Sequence, residues 1–234
     1  MTTPLVPFEY AYLTGTLPLF AVWLLFFFLR RDTRKEMLMA SVLIGVMSVM
    51  TASVWWTVDW WHPATITGTK IGFEDFLVGF ASGGIMAVAY EIVFKKRLAR
   101  TRAACLHCPS ATTLLLLLAL LTSWLFWGVG LTSFWASTIA MVVVSAALFS
   151  FRKDLFINGV LSGIAMVTVS LFSYAVFILF SPGWISATYH FETLSGFLAF
   201  GIPAEEFIFW FLAGLVFGPF YEYWQGQRLV GVTR

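Results

Sequence analysis

The chain has 234 residues, of which 60% are hydrophobic and only 11% charged, and its mean hydropathy is +0.87. So little polar surface excludes a soluble globular domain and defines an integral membrane protein. The net charge of +2 points to no nucleic-acid partner, because in a membrane protein the placement of charge decides more than its sum.

The N-terminal stretch MTTPLVPFEYAYLTG lacks a basic n-region, and the apolar run after it closes on Arg30-Arg31-Asp32 rather than on a small-residue cleavage site. No removable signal peptide is expected. Apolar runs of spanning length follow at 11–30, 36–58, 72–94, 111–130, 132–151, 155–181 and 203–224. The fourth and fifth are parted only by Gly128-Val129-Gly130, and Ser181-Pro182-Gly183 should stop the sixth. Pro219 should kink the seventh. Every Lys and Arg except Lys70 then falls after an odd-numbered span, which places the N-terminus outside and the C-terminus in the cytoplasm. Six or eight spans would scatter these clusters over both faces. Trp55-Trp56, Trp60-Trp61 and Trp184 lie toward the outer side, where indole rings are expected to anchor at the headgroups.

The chain also repeats itself. Glu74-Asp-Phe-Leu-Val-Gly-Phe-Ala-Ser-Gly-Gly-Ile-Met-Ala-Val-Ala-Tyr-Glu91 aligns with Glu205-Glu-Phe-Ile-Phe-Trp-Phe-Leu-Ala-Gly-Leu-Val-Phe-Gly-Pro-Phe-Tyr-Glu222 at an offset of 131. Upstream, Arg34-Lys-Glu-Met-Leu-Met-Ala-Ser-Val-Leu-Ile-Gly45 aligns with Arg152-Lys-Asp-Leu-Phe-Ile-Asn-Gly-Val-Leu-Ser-Gly163 at an offset of 118. The expected fold is therefore an all-α membrane protein, a single transmembrane domain with two parallel three-helix repeats, 11–94 and 132–224, joined by a connector helix at 111–130. A pseudo-two-fold axis along the membrane normal would relate the repeats.

Ionisable residues at the head of a lipid-type run read as functional. Glu74-Asp75 and Glu205-Glu206 stand at matching helix starts, where the helix dipole also favours them. Packed about the axis, the four carboxyls would approach one another at one depth. Neighbours on a helix point about 100° apart, so one acid of each pair should face the interior. Close carboxyls in a dry site cannot all ionise, which supplies an acid to give a proton and a base to take one back. Aromatic side chains, 18% of the chain, offer π faces to a carbocation. Glu91 and Glu222 lie 17 residues beyond Glu74 and Glu205, about 25 Å along a helix, where salt bridges with the basic clusters are expected.

Pro203-Ala204-Glu205-Glu206 resembles the P-x-E-[E/D] motif of the lycopene cyclase domain of the heterodimeric, archaeal and fungal type, and the closing Tyr-Glu looks similar too. The chain resembles the fused tandem form of that family over nearly its whole length. The resemblance implies a multi-pass protein of the cell membrane acting in carotenoid biosynthesis. It implies redox-neutral cyclisation of lycopene ψ-ends, an isomerase of the intramolecular-lyase type, with a lipophilic carotenoid substrate and no cofactor. Glu205 and Glu206 match the acid/base motif fully; Glu74 and Asp75 match it in part, since Gly72 stands where the motif has Pro.

No G-x-G-x-x-G follows a strand, so no dinucleotide site is indicated, and no metal site is expected. Cys105-Leu-His107-Cys108 offers three ligands where zinc wants about four, and reads as a solvated loop with spare thiols. His62 and His190 precede the acid pairs and read as interfacial residues. A rhodopsin would need a Lys in the last span, and Pro203 to Trp224 has none. The remaining rivals are a non-catalytic isoprenoid-binding membrane protein and a proton-coupled transporter, and a homo-oligomer is compatible with any of these.

Overall fold

A computed structural model of the chain describes residues 4–102 and 108–231. Seven helices are long and apolar enough to cross a membrane: Phe8–Leu29, Arg34–Asp59, Phe73–Val93, Ala111–Val129, Ser133–Phe151, Lys153–Phe180 and Ala204–Gln225. These are the first to seventh spans, and their ends fall within a few residues of the apolar runs. The sixth stops at Phe180, before Gly183 turns the chain at φ +90°. Gly130, at φ +81°, does the same after the fourth. Pro219 divides the seventh into Ala204–Phe217 and Phe220–Gln225, because it offers no N–H to the helix ladder.

Two irregularities carry no sequence signature. The second span widens into a π-helical turn at Ala52–Trp56, and the fourth does so at Trp124–Val129. Such turns shift the register of side chains around the helix. Here they bring Trp55 and Trp127 together, with ring centroids 6.2 Å apart.

The most extensive contacts between spans are second on third and sixth on seventh. Both pairs meet through small residues, as lipid-embedded helices do when close van der Waals packing holds them. A Cβ on Gly79 would lie 3.0 Å from the Gly45 Cα, and one on Gly214 would lie 2.5 Å from the Gly163 Cα. Gly45 and Gly163 stand at matching places in the two aligned segments.

The loops gather at two ends. At one end the strand Lys96–Arg102 pairs antiparallel with Gln227–Gly231, Leu98 opposite Leu229. Arg30 donates to the Lys96 carbonyl (2.9 Å) and Arg152 to the Gln227 carbonyl (2.7 Å), so loops rich in basic residues share this end. At the other end Trp61 and Tyr189 form an antiparallel bridge, flanked by His62 N–H to the Thr188 carbonyl and His190 N–H to the Trp60 carbonyl. A small strand pair, Leu198–Ala199 with Ile202–Pro203, leads into the seventh span. Cys105 and His107 lie outside the described residues. Cys108 is disulfide-bonded, which corrects its reading as a spare thiol.

Candidate active site

A cavity of about 400 Å³ opens among the spans, and all seven contribute to its wall. The wall is apolar and aromatic: seven of the eleven tryptophans line it, including Trp55, Trp56, Trp60, Trp61 and Trp184. Trp60 and Trp184 are almost fully buried, which corrects for these two the expectation that most of the outer-side indoles anchor at the headgroups. Met50 and Trp127 also belong to the wall, yet each is more than half exposed on the outside of the bundle. The cavity therefore opens sideways between the second and fourth spans, where the two π-helical turns face each other.

One carboxyl lines this space. Glu206, in the first turn of the seventh span, is buried and accepts a hydrogen bond from the Tyr174 hydroxyl on its Oε2. Tyr174 in turn meets the Tyr189 hydroxyl at 3.0 Å. Burial, and after it the Glu206 carboxylate, push the Tyr189 phenol well above its ordinary value, so it stays protonated. Glu205, one residue back, points elsewhere: its Oε1 accepts the Ser195 N–H at 2.7 Å and holds the loop before the seventh span.

The first half divides the work in the same way. Glu74 Oε1 accepts the Ile66 N–H at 2.7 Å and holds the loop before the third span. Asp75 accepts the Tyr12 hydroxyl at 3.0 Å and, reaching back over the helix start, the Gly72 N–H at 2.9 Å. Tyr12 lines the cavity but Asp75 does not. The ring of Trp61 stands between the two halves, 5.2 Å from Tyr12 and 6.4 Å from Tyr189. The four head acids do not gather, among the described residues, into the one cluster expected; Tyr12, the partner of Asp75, packs on Trp61 instead. Among the described residues, the carboxyls that do converge within 4.8 Å are Glu36, Glu91 and Glu222, near the other end. All three are buried, and none forms an ion pair among the described residues, in place of the salt bridges expected for Glu91 and Glu222.

His190 pairs with Glu192 (3.2 Å) on the surface, and His62 is exposed; neither lines the cavity. Sequence reasoning missed Tyr12, Tyr174 and Tyr189. Tyr12 lies on the first span and Tyr174 on the sixth, which are not matching positions in the repeat, so self-alignment gives no sign of them.

Fold and cavity together define a multi-pass helical membrane protein with an aromatic chamber and, among the described residues, a single carboxyl in its wall. The family model described as lycopene cyclase matches residues 9–93 and 132–224, one segment in each half. The chain belongs to the lycopene cyclase family, in the fused tandem form. No curated protein and no solved structure shows a significant match to it.

Proposed function

We propose that this protein cyclises the linear ψ-ends of a carotenoid polyene such as lycopene, taken sideways from the lipid of the cell membrane, with Glu206 as the proton donor. The observation that carries the reading is the lone Glu206 carboxyl in an aromatic, laterally open cavity of a lycopene-cyclase-family chain. With the basic loops in the cytoplasm, the acid heads of the third and seventh spans face the outer side.

Protonated Glu206 adds its proton to a terminal double bond of the polyene, leaving a tertiary carbocation. A neighbouring double bond attacks that cation and closes a six-membered ring, which leaves the positive charge on the other carbon of that double bond. Trp, Tyr and Phe faces around the chamber stabilise both cations, and the dry wall keeps water from capturing them. Loss of a proton from a carbon beside the second cation forms the ring double bond, and the Glu206 carboxylate takes that proton back. Nothing is oxidised or reduced, and the enzyme ends as it began. Tyr174 and Tyr189 orient the carboxyl and stabilise its charged form between the two transfers. Glu205 and Glu74 position their loops, and Asp75 fixes Tyr12 against Trp61.

The test is expression in a bacterium engineered to accumulate lycopene, with the pigments separated by chromatography beside Glu206→Gln. Cyclised carotenoids that disappear in the variant support the reading. Unchanged lycopene, with the wild-type chain folded in the membrane, overturns it in favour of an isoprenoid-binding protein.

A further inference from the structure

The structure carries a second polar site that the cyclisation chemistry does not use. We propose that Glu36, Glu91 and Glu222 hold a divalent metal cation near the end of the bundle opposite Glu206.

The three carboxyls come from the second, third and seventh spans, and one oxygen of each lies within 4.8 Å of the others. Their residues are 3%, 1% and 0% exposed. A second observation points to a ligand apart from this crowding. Among the described residues, both oxygens of Glu91, Oε1 of Glu36 and Oε2 of Glu222 are buried and find no donor other than the acids themselves, Glu36 and Glu91 lying within hydrogen-bond reach of each other. Buried acceptors without donors are costly, and charged ones more so. The described arginine side chains nearby do not answer them. Arg30 binds the Asp32 carboxylate and the Glu91 backbone carbonyl, while Arg152 binds Asp154 and the Gln227 carbonyl. The remaining Glu222 oxygen is held by the Asn158 side-chain N–H, and Asn158 is itself fixed by the Ser162 hydroxyl at 3.1 Å. One side of Glu222 is thus anchored and the other is left free toward the centre. This is how neighbouring groups orient metal ligands.

The donor set is all oxygen and mostly anionic, which suits a hard cation such as Mg²⁺, Mn²⁺ or Ca²⁺ rather than a thiophilic one. Glu91 and Glu222 occupy matching positions of the two aligned segments, so the cation would join the halves. The position matching Glu36 is Asp154, which turns outward to Arg152. The arrangement therefore makes one site and not two.

Mn²⁺ titrated into the purified full-length chain, first stripped with EDTA in detergent and followed by electron paramagnetic resonance of the free ion, tests this directly. The expected result is saturable uptake of one Mn²⁺ per chain, displaced by Mg²⁺ or Ca²⁺. Uptake should be lost in Glu91→Gln and in Glu36→Gln, weakened on the order of tenfold or more in Asn158→Ala, and retained in Asp154→Asn. A folded wild-type chain that takes up no Mn²⁺ overturns the proposal and leaves protons to balance the three acids. So does uptake that folded Glu91→Gln and Glu36→Gln leave unchanged, whether or not the chain proves to be a cyclase.

Discussion

Glu205 and Glu206 are adjacent, yet about 100° of helix rotation sends one to a loop and the other into the chamber. Their substitutions should separate accordingly. Glu206→Gln removes the proposed proton donor and should lower turnover by about 10²- to 10⁴-fold, the usual worth of a positioned acid, with the protein still folded. Glu205→Gln keeps the shape but weakens the bond from the Ser195 N–H. It should lower stability by about 1–3 kcal/mol, read by thermal unfolding in detergent, while product still forms. Equal loss of product in both variants would contradict this division. The acid pairs themselves were legible in the sequence, because carboxylates in a lipid-type run stand out. Which member faces inward was not, since it depends on Tyr174 reaching Glu206 from 32 residues away and Tyr12 reaching Asp75 from 63. The meeting of Glu36 with Glu91 and Glu222 was hidden for the same reason, and basic neighbours such as Arg30 made salt bridges the simpler expectation.

At the scale of the helix, spans were read well because hydropathy is a local property. The breaks at Ser181-Pro182-Gly183 and Pro219 were equally plain, as both follow from backbone chemistry. The π-helical turns were not, since Ala52-Ser-Val-Trp-Trp56 is as compatible with an ordinary helix. The strand pair Lys96–Arg102 with Gln227–Gly231 was also missed, because its partners are far apart in the chain and carry no alternating pattern. Packing between spans rests on absent side chains. Gly214→Leu would drive a branched side chain into the Gly163 backbone and should cost about 3 kcal/mol, seen as a lower unfolding temperature or as loss from the membrane. Gly231→Ala meets open space and should leave stability within about 0.5 kcal/mol of wild type.

For the whole molecule, the end whose basic loops Arg30 and Arg152 join is the proposed cytoplasmic side. A fluorescent protein fused after Arg234 should fold and emit in the cytoplasm, and alkaline phosphatase at the same place should be inactive. The opposite pattern would invert the protein in its membrane. The two-fold character of the sequence, however, does not extend to the chamber. Two matched helix starts carry acids, yet one carboxyl, Glu206, looks into one space. Under the proposed reaction, a polyene with two identical termini therefore cannot have both served at once. In the proposed reaction the molecule would, after its first ring closes, back out through the gap beside Trp127, reverse end for end in the lipid, and return with its other terminus leading. One-ringed pigment should rise first in a time course and decline as the two-ringed form accumulates. Adding fresh lycopene midway should hold the mixture at one ring, because unreacted molecules compete for the same doorway.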